Sequence, residues 1–381
     1  MQCVYADKCG GCPYRHMSDD EYREFKQNNL TKLLKHLHSP AKNIGSPLFI
    51  GDGQRRRAAM SFEYIKGKII LGFNEASSHK IINIEQCLIL TPAINAVLPE
   101  LRELLSKLCA RSYQIKRGKK LLPQHIQKGT VWISEVSNGL DIVLEYDAPI
   151  DLNARMDIAE FCQNCADIIR LSHRAKADSL SETILQKAIP YITMGKFNVH
   201  IPAGTFLQAS GQSEQFMGNL VAKYLAGVEG KIADLFCGVG TFSYYIITRI
   251  PYLKVLAIDS GDELLQGFKN TLNAGQICNI TIKKQNLFKY PLTSDEVSTF
   301  KAIVFDPPRS GAKEQCRQIA LAAHKPATII AVSCNPNTFI NDANTLIDAG
   351  YVIEELTLVD QFAYSEHSEL VANFCLIDNH K

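Results

Sequence analysis

Three short segments of this 381-residue chain carry side chains able to do covalent chemistry, and each adjoins a run of apolar residues. Ser333-Cys334-Asn335-Pro336 places a thiol directly after residues 328–333, and Asp306-Pro307-Pro308-Arg309-Ser310-Gly311 places a carboxylate after residues 302–305. His367-Ser368-Glu369 adds a second carboxylate just before residues 370–377. Cysteine is intrinsically very nucleophilic, and a carboxylate of tuned pKa can move a proton. Together they allow sulfur to add to an electron-poor ring, a neighbouring carbon to react, and the sulfur to leave as a proton is removed. A lone cysteine after a strand more often serves packing; the D-P-P turn and the acidic H-x-E motif reverse that expectation.

A fourth segment supplies a cofactor site. Asp234-Leu235-Phe236-Cys237-Gly238-Val239-Gly240 is a tight glycine turn that lets the backbone approach a ligand, and Asp259 ends the next apolar run. A carboxylate at that spacing can accept both hydroxyls of a ribose, so the pair fits an adenosine cofactor. A dinucleotide site needs a third glycine where this chain has Ser243, which weakens the pyrophosphate reading. S-adenosylmethionine has no phosphate, and its sulfonium methyl suits the chemistry of Cys334. Carbon 5 of uracil is too weak a nucleophile to take a methyl group until a thiolate has added to carbon 6, and a base such as Glu369 must then remove the carbon-5 proton.

These segments need a scaffold that brings their ends together. From about residue 230 the sequence alternates short apolar strands at 231–236, 255–259, 279–283, 302–306 and 328–333 with helical stretches, then continues with 351–359 and 370–377. That alternation predicts a Rossmann-like α/β domain with a doubly wound, mostly parallel sheet, whose ligands gather at the carboxyl ends of the strands. Upstream, Ser18 with Glu21 predicts a capped helix whose buried face is Tyr22, Phe25, Leu30, Leu33, Leu34 and Leu37. Residues 60–73 and 131–146 read as hairpins around Lys66-Gly67-Lys68 and Asn138-Gly139. The expected division is 1–92, a basic cysteine-rich segment; 93–200, a central α+β domain; and 201–381, the catalytic domain.

Twelve cysteines in a chain without a signal-peptide pattern do not suggest disulfides. Cys3, Cys9, Cys12 and the distant Cys87 read as a ligand set, for zinc or an iron–sulfur cluster by spacing alone. Cys109, Cys278, Cys316 and Cys375 read as buried small hydrophobes, and the Cys162/Cys165 pair as core rather than a site. Net charge is only +2, but residues 1–130 hold 21 Lys and Arg against 11 Asp and Glu, leaving 20 against 28 for the rest. A basic front and acidic back place a polyanion against the N-terminal part, with Arg55, Arg56, Arg57, Lys116, Arg117, Lys119 and Lys120 as its phosphate contacts. No apolar run spans a membrane, so a soluble cytoplasmic protein with no membrane or obligate protein partner is expected.

In combination, Phe206-Leu207-Gln208, Asp234 to Gly240, Asp306 to Gly311, Ser333 to Pro336 and His367 to Leu370 resemble the RNA uracil-5-methyltransferase family, in the family's order. The resemblance implies an S-adenosylmethionine-dependent domain in which Gln208, Phe236, Gly238, Gly240, Asp259 and Asp306 hold the cofactor. It also implies that Cys334 is the nucleophile and Glu369 the base. Gln54 to Ala58 and Gly72 to Cys87 resemble the ribosomal-RNA branch, which implies a [4Fe-4S] cluster on Cys3, Cys9, Cys12 and Cys87. It implies 23S ribosomal RNA as the substrate, and a short form without the family's N-terminal RNA-binding barrel. The alternatives are a transfer-RNA enzyme, a nicotinamide-dependent iron–sulfur oxidoreductase, and a non-catalytic iron–sulfur RNA-binding protein.

Overall fold

The computed structural model describes residues 2–117, 120–177 and 179–377, without the side chains of residues 115–122. The chemistry-bearing half is built on one mixed sheet. Its five parallel strands lie side by side as Thr328–Ser333, Ala302–Phe305, Lys231–Leu235, Lys254–Asp259 and Ile280–Lys284. Glu369–Leu376 then inserts antiparallel between Thr328–Ser333 and Tyr351–Asp360. The central strands, such as Ala302–Phe305 and Thr328–Ser333, are largely apolar because both faces are covered, as parallel sheets require, whereas the edge strand Ile280–Lys284 is partly exposed.

Successive residues of each strand point to opposite faces, and the two cores separate accordingly. Ile232, Val304 and Ile330 pack with Met217, Phe242, Ile246 and Phe268 from the helices Gly211–Tyr224, Thr241–Arg249 and Asp262–Ala274. Their neighbours Ala233, Ile303 and Ile329 pack on the other side with Cys316, Ile319, Phe339 and Leu346 from Lys313–Leu321 and Pro336–Asp348. The glycine turn, Asp306 and Cys334 therefore emerge together at the carboxyl edge.

The second body is a seven-stranded sheet covered by helices Pro92–Ala110 and Leu152–Asn164. Arg57–Ile65 and Lys68–Asn74 form the expected hairpin, turned by left-handed Lys66 (φ 49°) and Gly67 (φ 82°), and Lys128–Val136 with Gly139–Glu145 forms the other. The boundary drawn at residue 92 runs through this sheet, because Arg57–Ile65 pairs with Lys128–Val136 over seven residues. Nor does the N-terminal segment stand apart. Helix Asp19–Leu34 carries the expected Ser18/Glu21 capping box, and Leu30 joins the core of the catalytic sheet. Two short strands, Asn43–Ile44 and Leu48–Phe49, add to the free edge of Tyr351–Asp360.

Cys109, Cys162 and Cys316 are buried as expected, whereas Cys278 is exposed and Cys375 half-buried. Cys278 lies in the turn after Asp262–Ala274, outside the apolar stretch of the following strand. Among the described residues no helix is long and apolar enough to cross a membrane.

Candidate active site

Strand register brings the two key side chains together. Ser333 pairs with Leu370 in the antiparallel ladder, so Cys334, one residue beyond, and Glu369, one residue before, leave the sheet as neighbours. Asp306 follows the adjacent strand, and its N–H donates to Leu235 O at 3.3 Å. Three acidic protons thus share one corner. Burial raises the Glu369 carboxyl to about 7, against the lowering effects of Gln361 and Arg309. Burial, with the charges of Glu369 and Asp234, also holds Asp306 well above the usual carboxylate range. The Cys334 thiol is pushed up to about 11 by burial and then by Glu369 and Asp306, while Arg309 pulls it down. Such strong, environment-driven shifts cluster at sites that exchange protons.

A buried amide chain ties the corner together. Gln361, just past Tyr351–Asp360, donates from Nε2 to Glu369 Oε1 at 2.9 Å and to Gln208 Oε1 at 2.8 Å. Gln208 Nε2 reaches Asp306 Oδ2 at 3.3 Å. Arg309 donates to His367 Nε2 at 3.1 Å; since a guanidinium only donates, His367 carries its own proton on Nδ1. Beneath the loop, Lys26 of the N-terminal helix forms an ion pair with Asp360 Oδ1 at 2.9 Å and donates to His367 O at 2.6 Å and Ser368 Oγ at 3.0 Å, and the Tyr22 hydroxyl donates to Asp360 Oδ2 at 2.8 Å. Neither Gln361 nor Lys26 is anticipated by sequence reasoning, although a lysine within the apolar face of the first helix is a visible irregularity.

On the cofactor side, Asp259 accepts Gly238 N–H at 3.0 Å and Gly261 N–H at 2.9 Å, fixing the glycine turn against the second strand. The two glycines differ in use. Gly240 (φ 92°) lies so close to the Phe268 ring that an added Cβ would sit 2.3 Å from it, whereas a Cβ on Gly238 would meet nothing within 4 Å. Gly240 is a packing requirement and Gly238 an open cradle. Asp234 holds the first turn of the next helix through Ser243, yet among the described residues its buried Oδ1 has no hydrogen-bond partner. The Phe236 ring, on a residue with φ 60°, packs on Phe288 with ring centres 5.3 Å apart. A cavity of about 510 Å³ at the ends of Lys254–Asp259 and Ile280–Lys284 is lined by Ser260, Lys284, Gln285, Asn286 and Tyr290. A cleft of about 370 Å³ lies between Gly261–Leu264 and Ala203–Phe206. An orphaned carboxylate oxygen, an open glycine and flanking cavities of this size fit an adenosine-type group.

A sequence model described as tRNA (uracil-5-)-methyltransferase matches residues 19–373. The chain belongs to this family of S-adenosylmethionine-dependent RNA uracil-5-methyltransferases. It is 33% identical over 377 residues (97% of this chain, 83% of the other) to an uncharacterized RNA methyltransferase of Brucella melitensis. It is 26% identical over 381 residues (98% and 81%) to the 23S rRNA (uracil(1939)-C(5))-methyltransferase of Mannheimia succiniciproducens. The fold matches that of the Pyrococcus abyssi tRNA (uracil-54, C5)-methyltransferase, solved with S-adenosyl-L-homocysteine, with a TM-score of 0.73, 21% identity, and coverage of 96% of this chain and 85% of that one.

Elsewhere on this methyltransferase the arginines divide. Arg56 is not a phosphate contact: it is buried, pairs with Glu214 at 2.6 Å and bonds Gln208 O at 3.0 Å. Arg57 lies over Phe206 at 4.8 Å and over Trp132 at 5.5 Å, Arg174 over Trp132 at 5.1 Å, and Arg55 over Phe362 at 5.3 Å. Lys119, and the side chains of Lys116, Arg117 and Lys120, lie outside the described residues. Cys3, Cys9, Cys12 and Cys87 gather near one another, since each of Cys9, Cys12 and Cys87 is raised partly by the charge of others in the set, after burial. Even so, among the described residues no three His, Cys, Asp or Glu side chains converge closely enough to hold a single metal ion.

Proposed function

We propose that this enzyme methylates carbon 5 of a uridine in RNA through a covalent adduct on Cys334, with Glu369 as the base. The observation that carries the reading is the register pairing of Ser333 with Leu370, which makes a thiol and a proton-accepting carboxyl neighbours at the strand edge. Gln208, Phe236, Gly238, Gly240, Asp259 and Asp306 would hold S-adenosylmethionine, which supplies a methyl group on a cationic sulfonium. Cys334 stays protonated while Asp306 and Glu369 face it; positive charge beside those carboxylates favours the thiolate. The thiolate adds to carbon 6, carbon 5 takes the methyl, and Glu369 removes the carbon-5 proton as the sulfur leaves.

Phe206, 60% exposed under Arg57, together with exposed Arg309, offers the stacking face and cations that an unpaired RNA segment uses. We infer 23S ribosomal RNA as the substrate, supported by the Mannheimia relative, which matches over nearly the whole chain. Transfer RNA is the second reading, favoured by the description of the matching family. Mapping 5-methyluridine in both RNAs of a deletion strain separates them.

We further propose a [4Fe-4S] cluster on Cys3, Cys9, Cys12 and Cys87. Four irons spread their cysteine sulfurs farther apart than a single zinc with Zn–S bonds of about 2.3 Å, in keeping with thiols that couple without converging. Gly11 N–H donates to the Cys9 sulfur at 3.5 Å, and the N–H groups of Ile89 and Leu90 face the Cys87 sulfur, as stabilised thiolates require. Zinc is the alternative occupant.

The decisive experiment for the reaction is Glu369→Gln with substrate RNA and methyl-labelled cofactor. Addition and methyl transfer remain possible, so a labelled protein–RNA species should survive denaturing electrophoresis and vanish in the Cys334→Ala, Glu369→Gln double variant. Turnover of Glu369→Gln near the wild-type rate would refute the base assignment.

A further inference from the structure

We infer that Gln361 is a positioning residue for the elimination step, reserving one oxygen of Glu369 for the carbon-5 proton. The inference rests on the reaction proposed above. Gln361 is 2% exposed, and its amide orientation is settled by its surroundings. Its Oε1 faces the backbone N–H of Ala209 at 2.9 Å, with the Ser213 hydroxyl also at 2.9 Å. A backbone N–H can only donate, so that atom is the oxygen and the other end is the NH₂ group.

Both hydrogens of Nε2 are then committed, one to Gln208 Oε1 and one to Glu369 Oε1. Because Gln208 must accept there, its own NH₂ turns to Asp306 Oδ2. Donation thus runs in one direction, from the Ala209 N–H through Gln361 to Glu369, and through Gln208 to Asp306. No member can reverse without confronting two donors or two acceptors.

The consequence falls on Glu369. Its Oε1 already accepts from Gln361, so Oε2 is the more basic oxygen and takes the proton arriving at this carboxylate. After methyl transfer, carbon 5 carries both the new methyl group and its original hydrogen. Glu369 Oε2 takes that hydrogen as a proton, and the electron pair of the C5–H bond becomes the C5–C6 double bond. The pair of the C6–S bond leaves with Cys334 as thiolate, and Glu369 ends neutral. The same bond from Gln361 favours the charged form of Glu369 against burial, keeping the base ionised before that step. The charged groups facing Glu369 are Asp306, Cys334 and Arg309, and Gln361 is the neutral donor among them.

The test uses Gln361→Met, which keeps length and removes both donor and acceptor, and Gln361→Glu, which keeps the acceptor for Ala209 but cannot donate when ionised. Each is assayed with full-length RNA labelled with tritium at carbon 5 and with methyl-labelled S-adenosylmethionine. Single-turnover methyl transfer to RNA, which Gln361 touches only through Gln208, should fall much less than tritium release. Tritium release should fall by about 10- to 100-fold, the worth of one hydrogen bond to a charged group, and the Cys334 adduct should accumulate. In Gln361→Met the acid limb of the tritium-release profile should move to higher pH. Equal loss of both labels with an unmoved limb, or wild-type tritium release in a folded variant, would overturn the role of Gln361. Should Gln361→Met not fold, Gln361→Glu carries the same comparison. Absence of 5-methyluridine from the wild-type reaction would instead overturn the underlying reading, and this inference with it.

Discussion

Replacing Glu369 by glutamine should stabilise this protein in alkaline solution and do so less and less as the pH falls. The carboxyl is 3% exposed and titrates at about 7 in the folded chain, against 4.5 when solvated. Between those values the folded state holds a proton that the unfolded state has lost. Stability therefore declines as pH rises through that window, at about 1.36 kcal/mol per unit. The accumulated penalty is about 1 kcal/mol at pH 5 and about 3 kcal/mol at pH 8. Glutamine cannot ionise, and its carbonyl still accepts from Gln361 Nε2, which lies 2.9 Å from Glu369 Oε1. Urea unfolding of cofactor-free wild type and Glu369→Gln, followed by circular dichroism, should show the variant ahead by up to about 3 kcal/mol at pH 8, with most of the gap closed at pH 5. A variant less stable at both pH values, or a gain that does not depend on pH, would refute the claim that burial of a charge is what raises this carboxyl.

Cys334→Ala should abolish turnover while leaving S-adenosylmethionine binding intact, because the thiol follows Thr328–Ser333, apart from the glycine turn; residual methylation above about one thousandth of wild type would place the nucleophile elsewhere. Lys26→Met should destabilise the protein by about 3–5 kcal/mol, since it leaves Asp360 buried without its counter-ion. Adding Asp360→Asn should recover much of that loss, and a single-variant effect below about 1 kcal/mol would count against the pair. Anaerobically purified protein should be brown, with an absorbance shoulder that dithionite bleaches; a colourless protein with one equivalent of zinc would refute the cluster.

The catalytic sheet was legible because both of its faces are buried, which leaves unbroken apolar strands such as Ala302–Phe305 that end abruptly at polar residues. Its site was legible for the same reason: Asp259, Asp306 and Cys334 stand at the strand ends where ligands gather. What escaped were pairings between distant segments. Lys26 sits in a helix whose sequence implies a solvated cation, and only the fold reveals that Asp360 lies beneath it. Gln361 is an ordinary amide until Ala209, Gln208 and Glu369 surround it. Arg56 was misjudged because three consecutive arginines suggest one surface, whereas Arg56, just before the strand Arg57–Ile65, turns inward to Glu214 and to Gln208 O. The boundary at residue 92 followed composition and missed a strand pairing that crosses it.

The contact between the first helix and the last loop has a consequence in time. Lys26 and Ser368 are 342 residues apart in sequence, so a ribosome adding roughly 5–20 residues per second makes the helix about 15 to 70 seconds before its partner exists. Through that interval the sheet edge that Asn43–Ile44 and Leu48–Phe49 will join is absent too. Residues 19–49, made well before the strands they join, are thus among the last to dock, and the loop bearing His367 and Glu369 meets its buried support only once it has itself been made. A nascent chain arrested before residue 351 should carry a formed glycine turn but no organised proton-transfer corner, so the capacity to bind cofactor would precede the capacity to use it.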